Sequence, residues 1–188
     1  MAPIDNLTIT AGMSILKGKY DSFENGPTFF PTGANTPDPV PVVPSSCNFT
    51  AYPVSTAPMV QILPSATDSR ACDLSGNKTV MTPPFSLSLS VVYTIPTSIG
   101  EFDLAASWLH TGRQYFEPDN IRFSRQPLYD NVNASVKYSP SEHFDVRLWV
   151  SNLLDEKYYS YIGNSATSGT KGSPAAPRTY GVTLGAHF

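Results

Sequence analysis

Tyr180-Gly-Val-Thr-Leu-Gly-Ala-His-Phe188 places apolar side chains at Tyr180, Val182, Leu184, Ala186 and Phe188, with small or polar ones between them. Successive strand side chains point to opposite faces, so the stretch reads as a strand with one apolar face. An ending on that face, with Phe188 last, suits a strand whose outer neighbour is lipid. A core strand of a soluble β-sandwich has the same alternation, so the rest of the chain must separate the two.

The same period of two recurs through the chain. Leu7, Ile9, Ala11, Met13 and Ile15 alternate with Thr8, Thr10, Gly12 and Ser14. Phe85, Leu87, Leu89, Val91, Tyr93 and Ile95 alternate with serine and threonine, broken by Val92. Phe102, Leu104, Ala106 and Trp108 follow, then Val132, Ala134, Val136 and Tyr138, then Phe144, Val146, Leu148 and Val150. Asn133, Lys137, Asp145, Arg147 and Thr183 fall on the opposite parity. These runs predict strands near 6–17, 84–96, 101–113, 128–138, 143–152 and 178–188. The fold class expected is all-β, an antiparallel up-and-down meander of about six strands. Eighteen prolines and twelve glycines fit this better than helices, and no apolar stretch reaches the roughly 18 residues of a membrane-spanning helix.

Two regularities favour a partial transmembrane β-barrel over a sandwich. Connections alternate between short (Pro96–Gly100, Ser139–Glu142) and long (24–82, 112–126, 152–177), the asymmetry of tight periplasmic turns and long extracellular loops. Tyr93, Phe102, Tyr138, Phe144 and Phe188 all lie near short-turn ends with apolar parity, as an aromatic girdle at one membrane interface requires. Phe85, Tyr129, Tyr158, Tyr159 and Tyr180 are the expected girdle at the other interface.

Charge argues for no other class of partner. Twelve Lys and Arg against fifteen Asp and Glu give a formal net charge of −3, and no basic stripe is available to neutralise phosphates, so nucleic acid is not an expected partner. His110, His143 and His187 lack the spacing of a metal site. No nucleophile elbow, phosphate loop or zinc-protease motif is present. The chain is therefore expected to be neither an enzyme nor a holder of a cofactor, and Asp155-Glu156 reads as a solvated pair in a loop.

Three stretches carry a resemblance: Leu128 to Tyr138, Phe144 to Tyr158 with its Asn152-Leu-Leu-Asp-Glu-Lys-Tyr158 segment, and Pro177-Arg-Thr-Tyr-Gly-Val-Thr-Leu-Gly-Ala-His-Phe188. Over roughly the last sixty residues the chain resembles the C-terminal barrel strands of TonB-dependent outer-membrane receptors. The resemblance implies a Gram-negative outer-membrane location and a terminal strand, Tyr180, Val182, Leu184 and Phe188, read by the barrel-assembly machinery. It also implies a plug domain and TonB as partners of the full-length receptor. Neither the plug nor the partner motif is visible in this sequence, and Met1-Ala-Pro-Ile-Asp-Asn lacks a secretory leader's basic start and apolar core. The expectation for residues 1–188 is the C-terminal segment of such a barrel.

Prolines crowd 24–82, and proline removes ladder donors, so this segment is expected to be a large extracellular loop. Cys47 and Cys72 lie in it and form a disulfide candidate in an exported chain. Tyr115, Phe116, Arg122, Phe123 and Arg125 share one long connection, and Tyr158, Tyr159 and Tyr161 another. Aromatic rings with guanidinium groups suit an anionic, partly aromatic ligand. The expected contacts are Tyr115, Arg122, Arg125 and Tyr159, and the family resemblance points to a ferric siderophore.

Overall fold

The computed structural model describes residues 5–24, 26–28, 71–165 and 169–187. Six long strands dominate: β1 (Leu7–Ile15), β4 (Phe85–Thr97), β5 (Gly100–Thr111), β8 (Tyr129–Ser141), β9 (Phe144–Ser151) and β12 (Thr179–Ala186). The intervening numbers belong to short strands: β2 (Gly26–Pro27), β3 (Ala71–Cys72), β6 (Gln114–Tyr115), β7 (Arg125–Gln126), β10 (Tyr159–Ser165) and β11 (Gly169–Pro174).

The long strands form one antiparallel sheet in the order β1, β4, β5, β8, β9, β12. This is a meander, with every long strand beside its chain neighbour. The turns from β4 to β5 and from β8 to β9 are tight. At the first, Gly100 adopts φ +133, and a Cβ there would lie 2.8 Å from Pro140 Cα, so only glycine fits without strain.

Register sorts the side chains into continuous rows. Leu7, Tyr93, Leu104, Val136, Leu148 and Val182 lie opposite one another across all six strands. The parallel row is Ile9, Val91, Ala106, Ala134, Val150 and Tyr180. One residue out of phase, Thr94, Asp103, Lys137, Arg147 and Thr183 make a polar row. A one-residue slip would exchange the two faces, so the apolar pattern itself fixes the register.

The apolar face is uncovered: Tyr180 is 80% exposed, Leu184 76% and Met13 67%. Buried apolar side chains among the described residues are Cys72, Leu74, Phe116 and Ile162, all in connecting segments rather than in the sheet. A sandwich would bury this face under a second sheet, and none covers it among the described residues.

The long connections carry more order than their sequence suggests. β10 pairs with β11 in a hairpin within 152–177, and β6 pairs with β7 within 112–126, where a 3-10 turn spans Arg122–Ser124. The sequence pattern misses them because glycine and polar residues leave no apolar alternation. At the ends of 24–82, β2 pairs with β3, and Lys19 bridges to Lys78. Residues 29–70 lie outside the described residues.

Candidate functional site

At the long-loop end, connecting segments from three parts of the chain gather into one cluster. Asn120, in the left-handed region at φ 54, links two of them. Its side-chain oxygen accepts from Lys78 N at 2.7 Å, and its amide donates to Lys78 O at 3.0 Å. Met81 N donates to Tyr115 O at 2.8 Å. Gln126 is buried and accepts from Tyr159 N at 2.9 Å, tying in the third segment. Buried Phe116 packs edge-on against Tyr161 with centroids 5.7 Å apart. Beside it, the Glu117 carboxylate opposes the phenolate and raises the pKa of Tyr161, with partial burial adding to the effect.

The expected ligand contacts fall in this cluster. Tyr115 and Arg125 are register partners in the β6–β7 ribbon. The Arg122 guanidinium sits over the Phe123 ring at 4.7 Å, a cation–π arrangement. Tyr159 follows Gln126's hydrogen bond and is 46% exposed. The segment thus offers exposed rings and guanidinium groups on a hydrogen-bonded base, with chemistry suited to a planar or anionic ligand.

The Asn152-Leu-Leu-Asp-Glu-Lys-Tyr158 segment has a structural role beneath this cluster. Asn152 is buried, at φ 52, and its amide donates to Glu156 O at 3.0 Å and Ala176 O at 3.2 Å. Its oxygen accepts from Glu156 N at 2.9 Å. Asp155 accepts from Arg178 N at 3.0 Å, joining the turn to the start of β12. Asparagine suits this position because it tolerates the left-handed conformation and satisfies its own turn.

The polar face forms a wall with a hollow of about 540 Å³ lined by Ser90, Ser107, Asn133, Ser135, Arg147 and Thr183 among others. Asp103 meets Lys137 at 2.9 Å and accepts from the Thr94 hydroxyl at 2.6 Å. Trp149 donates to the Thr183 hydroxyl at 3.2 Å, and Gly181 lies under its ring: a Cβ there would stand 2.6 Å from Cζ2. At the short-turn end His187 Nε2 reaches Asp145 at 2.9 Å, a contact that strand alternation alone does not reveal. No three-residue metal-binding group exists among the described residues.

At the short-turn end Phe102 stacks on Tyr138 at 4.6 Å, whose hydroxyl donates to Ile99 O at 2.6 Å. Tyr93 and Phe144 are exposed on the same face. The second girdle needs correction. Tyr129 shares the parity of Asn131 and Asn133, stacks on Tyr158 at 4.0 Å, and stands beside the bond from Asn131 to the Tyr158 hydroxyl at 3.2 Å. Both rings therefore belong to the polar side, and Tyr159 belongs to the hairpin. Phe85, Trp108 and Tyr180 are the aromatics on the apolar face toward this end. Cys72 is disulfide-bonded. Cys47 and Phe188 lie outside the described residues.

A family model described as TonB dependent receptor-like, beta-barrel matches residues 46–153, more than half of the chain. Among solved structures, the ferric yersiniabactin uptake receptor FyuA from Yersinia pestis is similar at 24% identity with a TM-score of 0.58, over 63% of this chain and 18% of that one. The siderophore receptor PiuA from Acinetobacter baumannii is similar at 16% identity and a TM-score of 0.58, over 97% and 19%. The ferric-catecholate import receptor Fiu from E. coli K12 is similar at 23% identity and a TM-score of 0.50, over 63% and 17%. The chain spans less than a fifth of each of these receptors, and the likeness to them is one of fold. No curated protein sequence matches the chain.

Proposed function

We propose, from the premise that the chain belongs to the TonB-dependent receptor β-barrel family, that it forms the C-terminal wall of an outer-membrane receptor taking up a scarce small ligand. TonB-dependent receptor β-barrels are outer-membrane proteins of Gram-negative bacteria, and they are transport receptors rather than enzymes. In this reading the apolar face meets lipid, the polar face lines the lumen, and the long-loop end faces outside. The full-length receptor adds a plug domain and is driven by TonB, and its terminal strand is taken up by the barrel-assembly machinery. The ligand is a ferric siderophore, met by Tyr115, Arg122, Arg125 and Tyr159, with Cys47 bonded to Cys72 to restrain the largest loop. The neighbours' roles as siderophore receptors support this ligand class.

One observation carries the reading: six strands present a continuous apolar face, polar only where His110 meets Asp130 toward the long-loop end, with nothing packed on it among the described residues. Such a face is stable in lipid and a liability in water. The test is to refold the full chain with and without lipid vesicles. Strand content and protease resistance that depend on vesicles are expected. A folded aqueous monomer without them would replace this reading with a soluble β-sandwich binding module.

A further inference from the structure

The polar wall carries a cation that no neighbouring acid balances. Among the described residues, the long strands place Glu101, Asp103, Lys137, Asp145 and Arg147 on that face. Asp103 holds Lys137 at 2.9 Å, and Asp145 turns over Gly185 to meet His187 at 2.9 Å. Glu101 stands nearer the short turn, opposite Ser139. Arg147 makes no ion pair or hydrogen bond to the described residues. Register sets it directly opposite Lys137, where like charges repel, so both cations favour an anion brought beside them.

Arg147 borders the hollow of about 540 Å³, and the adjoining row explains why that space is open. Val92, Ala105, Ser135, Trp149 and Gly181 lie opposite one another. Gly181 has no side chain, so the Trp149 indole lies over it and donates to Thr183. Ala105 and Ser135 are too small to fill the room left over β5 and β8. Ser90, Ser107 and Asn133 continue the lining beyond them, and the hydroxyls of Ser90 and Ser135 have no partner among the described residues. An unmatched guanidinium, free hydroxyls and an indole thus border one space.

We propose that this hollow binds a hydroxyl-rich monocarboxylate of sugar-acid size, its carboxylate at Arg147, its hydroxyls at Ser90, Ser107 and Ser135, and the apolar face of its ring against Trp149. The site rests on the barrel reading above, which turns this face to the lumen, and it is separate from the loop cluster. A guanidinium takes a carboxylate through two parallel hydrogen bonds, and one unmatched cation suits one carboxylate. Side chains that both donate and accept favour a ligand carrying hydroxyls over a bare acid.

In the full chain carrying Trp108→Phe, Trp149 is the only tryptophan and reports on the hollow. Reconstituted in phosphatidylcholine vesicles at constant ionic strength, its emission is titrated with three solutes: glucuronate, glucose, which has the hydroxyls without the carboxylate, and acetate, which has the carboxylate without the hydroxyls. Half-response to glucuronate is expected at a roughly ten-fold lower concentration than to either of the others, the worth of a hydrogen bond to a charged group. Arg147→Gln should bring glucuronate to the level of glucose, and the hollow-filling Ser135→Phe should remove its response, both with strand content retained. No saturable response, equal half-response to glucuronate and either simpler solute, or a preference unchanged in Arg147→Gln overturns the site and leaves the barrel standing. The three-solute comparison needs only the reporter chain, so it decides the site even where Arg147→Gln or Ser135→Phe loses strand content. Strand content that forms without vesicles overturns the barrel reading and the lumenal site with it.

Discussion

An arginine at position 91 and one at position 90 should behave as if placed in different solvents. Val91 is the midpoint of β4 and lies between Ile9 and Ala106 on the apolar face, whereas Ser90 lies between Thr10 and Ser107 on the polar face. The two positions differ by one residue, so their depth in a bilayer is nearly the same. Arginine on the lipid face near the midplane costs about 2–4 kcal/mol, or roughly a 30- to 1,000-fold loss in the folding equilibrium constant. At Ser90 the guanidinium enters a water-filled lumen beside hydroxyls, and about 0.5 kcal/mol is expected. Thr183 is a poorer partner for the comparison, because it stands opposite Arg147 and accepts the Trp149 hydrogen bond. The assay is urea unfolding from vesicles, followed by tryptophan emission and heat-modifiable mobility. Equal costs at both positions, or a larger one at Ser90, would refute the assignment of faces. Val91→Phe adds a second arm: it should be neutral against lipid, whereas a cost of about 1–3 kcal/mol would indicate a packed protein neighbour.

Asn152→Ala removes three buried hydrogen bonds and places alanine at φ 52, so it should lower stability by about 2–4 kcal/mol in the same urea assay, while Asn152→Gly recovers the backbone part alone. Tyr161 should titrate above the ordinary tyrosine range because of Glu117, and phenolate absorbance should show Glu117→Gln bringing it back down. Since the raised value favours the neutral phenol in the folded chain, its contribution is full at neutral pH and fades as pH climbs through the folded value. In the full-length receptor, Phe188→Asp should lower the yield of heat-modifiable, protease-resistant barrel several-fold, and an unchanged yield would remove the terminal strand's role as an assembly signal.

Strand positions and faces were legible because lipid and lumen impose a strict period of two on every strand. The alternation from Phe85 to Ile95, broken only at Val92, leaves little freedom of register. The same periodicity puts Tyr129 with Asn131 on the polar side, and only its aromatic character suggests a girdle position. The loop cluster was less visible for a different reason. Its order comes from single side chains such as Asn120 and Gln126 bonding to backbone far away in sequence, and such bonds leave no periodic trace. Tyr115 and Arg125 were named from residue type alone, and nothing in the chain announced that they would be register partners. The contact between His187 and Asp145 was hidden likewise, because it depends on β12 lying beside β9 with Gly185 opposite Asp145.

The tightly enclosed side chains Leu74, Phe116 and Ile162 sit outside the sheet, which inverts the usual geography of mutational tolerance. A fluid hydrocarbon neighbour reshapes itself around whatever is put before it, so Leu7, Leu148 or Val182 need be greasy but not of any particular outline. The enclosed residues face fixed protein neighbours that cannot flow. Across natural variants, the spanning strands should therefore drift freely among Leu, Ile, Val and Phe, and shape-matched, concerted substitutions should be found in the connecting segments, where a globular protein is ordinarily most permissive.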